Sequence, residues 1–158
     1  IILQGLLAPL LDSVNVVNAP LIAKERGIDV REVKRDQAED YQTFIRLTIA
    51  TERQQRTIAG TLFGGDKPRI VEIKGIKIEA ELSPHMLYFT NEDKPGLIGG
   101  MGQILGDAGL NIATFHLGRA EAGGDAIGLV SIDSDANEQV LNRLRALACI
   151  VQVKALRF

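Results

Sequence analysis

Apolar residues recur at helical spacing where the chain begins. Ile2, Leu3, Leu6, Leu7, Leu10 and Leu11 fall on one stripe, which predicts a helix over residues 2–11. The run opens on Ile1-Ile2-Leu3 without a methionine, so this helix is expected to be the truncated end of a longer one. Asn18 stands at a capping position, Pro20 suits a first turn and Gly27 an exit, so residues 18–26 read as a short helix. From Ile28 onward the period changes. Residues 43–50 alternate, with Ile45, Leu47 and Ile49 set against Arg46 and Thr48, and residues 56–63 are rich in β-branched side chains. Residues 70–74 and 77–80 are short strands turning at Gly75. Helices followed by a meander make the first half an α+β arrangement.

The pattern restarts around Glu81-Leu82-Ser83-Pro84, which predicts a first domain over residues 1–82 and a second over 83–158. Residues 85–90 form a strand. Leu97, Ile98, Met101, Ile104, Leu105 and Ala108 share one face of a helix between Pro95 and Gly109. Strands at 112–118 and 126–133 are joined through Gly123-Gly124-Asp125. Ser134 or Asp135 caps a helix bearing Val140, Leu141, Leu144 and Leu147, and residues 150–158 close as a strand. The order βαββαβ is the ferredoxin-like split pattern.

Composition narrows the function classes. In 158 residues, 18 basic side chains against 20 acidic ones give a net charge of −2, which removes the electrostatic case for nucleic acid or an anionic membrane surface. The mixed run over residues 24–40 reads as a solvated surface. One cysteine, Cys149, excludes an internal disulfide framework and a cysteine zinc site. No apolar stretch is long enough to span a bilayer, and no basic head precedes the first apolar run as a signal peptide requires. A soluble, cytoplasmic protein is expected.

Catalysis finds no home in this sequence. Gly100, Gly102 and Gly106 resemble a dinucleotide loop, but they fall within the helical stripe and not in the turn after a strand, so close packing of the helix on the sheet is the better account. His85 and His116 lie in different strands with no metal-ligand spacing, and Cys149 ends an apolar helix that gives its thiol no positive neighbour. Neither a nucleophile elbow nor a defensible acid pair is present. What remains is the polar turn Asn91-Glu92-Asp93-Lys94-Pro95-Gly96 before the second long helix. A helix start offers free amides to a carboxylate, and Asp93 offers an anion to an ammonium, a combination suited to a free amino acid. The competing account is that Asp93 only organises the turn. Asn111, just after Gly109, has its own competing account as a tight-turn residue.

The stretch from Thr90 through Asp93 to Ile98, followed by Gly109-Leu110-Asn111-Ile112-Ala113, resembles the signature of the ACT domain family. Over its whole length the chain resembles the regulatory half of the long-form D-3-phosphoglycerate dehydrogenases. Residues 16–23 with Glu25-Arg26-Gly27, and Gly60-Thr61-Leu62-Phe63-Gly64, are similar to the intervening domain of that family. The resemblance implies a regulatory piece that is not itself an enzyme, with NAD and the catalytic histidine in a catalytic half upstream of Ile1. It further implies L-serine as feedback inhibitor, bound where two ACT domains meet, with ligands at Asn91, Asp93, Gly96, Leu97 and Asn111. A homodimer through ACT domains, and a tetramer in the full-length enzyme, belong to the same implication. So does a phosphate or substrate effector at Arg69 and Lys77, which Glu81 opposes because an acid there repels phosphate. No metal is implied.

A βαβ crossover adds a geometric constraint. Its two strands run parallel, so the loop leaving the first and the loop entering the second lie at opposite ends of the sheet. A helix of about 14 residues separates them by roughly 20 Å. Asp93 and Asn111 of one chain therefore cannot hold one small molecule, whereas a two-fold axis brings Asp93 of one subunit to Asn111 of another. The alternative is an oligomerisation module whose ligand site is vestigial.

Overall fold

The structure is a computed structural model that describes residues 1–34, 41 and 43–158. Its contacts divide the chain into two compact units, Ile1–Gln37 and Ala38–Phe158. Residues 35–40, the end of the expected solvated run, lie outside the described residues.

In the first unit, α1 (Ile2–Leu7) is shorter than its apolar stripe suggests, because Pro9 cannot supply a backbone donor and the chain tightens into a 3₁₀ turn over Ala8–Leu10. The helix α2 (Ala19–Glu25) starts with proline in its first turn as expected. Asn18 occupies the capping position without capping. Its side chain instead accepts from the Asn15 amide and donates to the Ser13 carbonyl.

The second unit contains two four-stranded antiparallel sheets. The first is a meander in the order β1-β2-β3-β4: β1 (Ile45–Ala50), β2 (Gln55–Phe63), β3 (Lys67–Ile73) and β4 (Ile76–Glu81). Alternation is cleanest in β4, where Ile76, Ile78 and Ala80 are buried and Lys77, Glu79 and Glu81 are exposed. The β3–β4 turn holds Lys74 and Gly75 at φ 53 and 80°, a two-residue hairpin of the mirror-image type.

The second sheet runs β6-β7-β5-β8, built from β5 (His85–Glu92), β6 (Ile112–Arg119), β7 (Asp125–Ile132) and β8 (Ile150–Arg157). With α3 (Leu97–Asp107) between β5 and β6 and α4 (Glu138–Arg145) between β7 and β8, this is the ferredoxin-like βαββαβ arrangement. Leu87, Phe89, Val130, Ile132 and Val153 meet Leu97, Met101, Ile104, Leu105 and the α4 residues Val140, Leu141 and Leu144 in one core. Each fully buried side chain of this kind stabilises the fold by about 1.5–3 kcal/mol. The other face of the sheet packs on the meander: Met86, Ile127 and Leu129 bury against Ile70, Ile73, Ile76, Ile78 and Ala80. Here β4 crosses so close to β6 that a Cβ at Gly118 would stand 2.3 Å from the Lys77 carbonyl oxygen.

Three local expectations are corrected. The cap of α4 is Asn137, whose Oδ1 accepts from the Val140 amide at 3.0 Å, and not Ser134 or Asp135. The glycines of α3 do not serve the sheet: a Cβ at Gly100 would meet the Leu147 side chain, and Gly102 and Gly106 face open space. Finally, α4 ends at Arg145, so the half-buried Cys149 lies beyond it, where its carbonyl accepts from the Glu92 amide.

Candidate ligand site at the end of β5

The chain leaves β5 at Glu92 and enters α3 through Gly96, whose φ of 97° places the capping residue in left-handed backbone that a side chain disfavours. Within the loop Asp93 is held at two points by the turn between β6 and β7. Its amide donates to the Gly124 carbonyl at 2.8 Å, and its Oδ2 accepts from the Gly123 amide at 3.1 Å. The same oxygen accepts from Nη1 of Arg119 at 2.9 Å. The Gly123 amide foremost, and the Arg119 guanidinium after it, hold the Asp93 carboxyl below the usual aspartate range. Oδ1 has no hydrogen-bond partner among the described residues, and the side chain is 22% exposed. Glu92 and Lys94 pair with each other across the mouth of this loop.

Asn91, read from sequence as a loop residue, lies inside β5 and is 2% exposed. Its Nδ2 donates to the Glu92 carbonyl at 2.8 Å, while its buried Oδ1 has no partner among the described residues. Leu97 is buried as the first apolar anchor of α3, and Gly96 is exposed.

Asn111 is far from this loop. It is exposed, and its Nδ2 donates to Asp133 Oδ2 at 3.1 Å, beyond the end of β7. The left-handed residue of that connection is Gly109, at φ 70°, and not Asn111. Since Asn91 pairs in register with Ala126 at the other end of the eight-residue β7, the two asparagines are about 20 Å or more apart. One chain thus brings Asn91, Asp93, Gly96 and Leu97 together and leaves Asn111 at the opposite end.

Sequence reasoning passed over Arg119. It ends β6 and is separated from Asp93 by 26 positions, so no local spacing marks it. The one available signal was its place just before the Gly123-Gly124 turn.

On the meander, Arg69 Nη2 donates to Glu81 Oε1 at 2.6 Å, and its guanidinium lies 4.3 Å from the centre of the Phe63 ring. Lys77 pairs in register with Glu72, four residues before Glu81 along β4. The two basic groups therefore do not converge, and the acid expected to oppose phosphate is paired with Arg69. Among the described residues no three metal-ligating side chains cluster, and no helix is long and apolar enough to cross a membrane.

The D-3-phosphoglycerate dehydrogenase intervening domain matches residues 1–74, and the ACT domain matches residues 85–149. The D-3-phosphoglycerate dehydrogenase of Bacillus subtilis is 38% identical over 154 residues, which is 97% of this chain and 29% of that protein. Its counterpart in Methanocaldococcus jannaschii is 35% identical over 152 residues, again 29% of the relative. A probable L-serine dehydratase beta chain of Bacillus subtilis is 25% identical over 132 residues, covering 84% of this chain and 60% of that one. The chain spans less than a third of the dehydrogenases it matches. One match is to the intervening domain of D-3-phosphoglycerate dehydrogenase and the other to the ACT domain, so over nearly its whole length the chain is similar to the regulatory region of those dehydrogenases.

Proposed function

We propose that this chain is the serine-sensing part of an NAD-dependent D-3-phosphoglycerate dehydrogenase of the cytoplasm, with L-serine bound between two ACT domains as a feedback inhibitor of serine biosynthesis. Residues 1–82 would act as the intervening domain and 83–158 as the sensor. The observation that carries the reading is the separation of Asp93 and Asn111 by the length of β7. A small amino acid reaches both only if a second copy supplies one of them, so the site exists in the dimer and not in the monomer.

Two further facts support it. Strand β6 is an edge of its sheet, with Ala113, Thr114 and Leu117 exposed, so it is open to pairing with a second copy. A relative whose printed name concerns L-serine shares this region with dehydrogenases that catalyse a different reaction. Serine bridging two subunits would favour one relative orientation. Coupling of this kind amounts to about 1–3 kcal/mol, a change in activity of several-fold to a hundred-fold.

The test is calorimetric titration of the chain with L-serine, run beside sedimentation velocity. Saturable heat with one site per chain, present only at concentrations where the dimer forms, supports the reading. Full-affinity binding by a monomer overturns it. The pairing of Asp93 with Arg119 favours one competing reading, an oligomerisation module with a vestigial site. That reading expects a dimer and no response to serine.

A further inference from the structure

Three strands place one row of residues across the face that carries the helices. Arg119 of β6 and Asn91 of β5 are both paired in register with Ala126 of β7, so the three side chains project to the same side. Ala126, the middle member, is 1% exposed and is flanked in this row by the two longer side chains. At the end of this row stands Asp93, bound through one oxygen to Arg119 and to the Gly123 amide, with its other oxygen unengaged. Among the described residues, Asp93 Oδ1 and the buried Asn91 Oδ1 are acceptors without donors, and Arg119, whose side chain is 59% exposed, donates through Nη1 alone.

A surface ion pair is by itself worth little, and most such pairs do nothing but solvate a face. Like Glu81 with Arg69, and unlike Asp135 and Asp107, Asp93 engages its partner through one oxygen. Asp135 spends both carboxylate oxygens, on His85 and Arg157, and Asp107 spends both on Gln103 and Arg143. Asp93 keeps one oxygen bare beside a guanidinium with free N–H groups. A carboxylate and a guanidinium side by side present the reverse of the charge pattern of an α-amino acid, whose ammonium and carboxylate are also adjacent.

We infer that Arg119 is the residue that recognises the α-carboxylate of the bound amino acid, while Asp93 Oδ1 takes its ammonium group. This rests on the proposed amino-acid site and adds to it a specificity-determining residue. The guanidinium offers a planar fork of donors that a carboxylate fills with two bonds, so the site selects zwitterions over simple amines. It also makes the β6–β7 turn part of the site, because that turn holds both Arg119 and the Gly123 and Gly124 contacts to Asp93.

The experiment compares L-serine with L-serinamide, which keeps the ammonium and side chain but lacks the carboxylate, at a mildly acidic pH where both amines are protonated. Binding to the 158-residue chain is measured for the natural protein, Arg119→Gln and Arg119→Lys, with thermal unfolding of each as the check on folding. The expected result is a preference for serine of roughly tenfold or more in the natural chain, the scale of one charge-assisted hydrogen bond. Arg119→Gln brings the two ligands to near-equal affinity, and Arg119→Lys restores part of the preference. If Arg119→Gln still prefers serine as strongly as the natural chain, the carboxylate sits on the α3 amides and the inference about Arg119 falls while the serine site stands. If the natural chain binds neither ligand, the serine site itself falls, and this inference with it.

Discussion

Asn91 and Asn111 stand at opposite ends of one central strand: Asn91 is level with Ala126 at the start of β7, and Asn111 donates to Asp133 just past its end. On the proposed reading, each site of a two-fold dimer would take the Asp93 loop from one copy and Asn111 from the other. This predicts complementation. Asp93→Ala and Asn111→Ala homodimers each have every site damaged. Mixing them produces a heterodimer in which one site carries both lesions and the other carries neither. Calorimetry should therefore find almost no serine sites in either variant alone and up to one intact site per heterodimer after mixing. Mixtures that bind no more serine than the separate variants would show that the two residues belong to different sites.

The βαββαβ half was legible because its periods are regular. Leu97, Met101, Ile104 and Leu105 mark one helical face, and along β5 buried Leu87 and Phe89 face the helices while buried Met86 faces the meander. What was hidden is tertiary. Ser134, Asp135 and Asn137 are all cap-forming residue types within four positions, and sequence offers no way to choose among them. The choice falls to Asn137, and Asp135 is engaged by His85 from β5 and by Arg157 from β8. Asp93 was legible as a polar residue before a helix. Arg119 was not, because the β6–β7 turn that brings it to Asp93 folds back over residues distant in sequence. Glu81 was legible as an obstacle to phosphate, but its role as the partner of Arg69 emerges only from the pairing of β3 with β4.

Phe89 lies over Gly128 so closely that a Cβ on the glycine would fall 1.9 Å from the ring's Cζ. The ring is fully buried and tilts against Phe115 at 5.8 Å, so it cannot withdraw without opening the core. Gly128→Ala should cost about 3 kcal/mol or more, at the upper end for overpacking. Urea unfolding measures it, and the double variant with Phe89→Leu supplies the check. Removing part of the ring makes room for the methyl, so the double variant should be more stable than the two single losses added together. Strict additivity would mean that the clash is relieved elsewhere.

Asp107 joins the two helices: it accepts from Arg143 of α4 at 2.7 Å and from Gln103 one turn back in α3 at 2.6 Å. Arg143 first, and Gln103 second, hold its carboxyl below the usual aspartate range. A group whose folded value is depressed contributes stability that is present above its unfolded value and is lost as pH falls through the folded one. Asp107→Asn should therefore lower the melting temperature at neutral pH. The gap between variant and natural chain should shrink as pH drops below the usual aspartate range and close in stronger acid. Thermal scans across that range test it, and a gap that persists unchanged into strong acid would show that the loss is not electrostatic.

Arg69 is neutralised by Glu81 at 2.6 Å and steadied by the Phe63 ring, while Lys77 stands four residues along β4 on the same face, about 13 Å away by strand rise. A phosphate approaching Arg69 meets a carboxylate already bound, and its charge gains nothing from a cation that far off. The natural chain should thus show no saturable response to millimolar inorganic phosphate. Glu81→Gln removes the competing charge and keeps an acceptor in place, so it should bind phosphate at least roughly tenfold more tightly, as expected when a guanidinium is freed for a charged partner. The change should leave stability within about 1 kcal/mol, because the pair is partly exposed. Titration followed by calorimetry at two salt concentrations decides the matter. Equal phosphate affinity in the two proteins would mean that Glu81 yields to the anion and does not guard Arg69 against it.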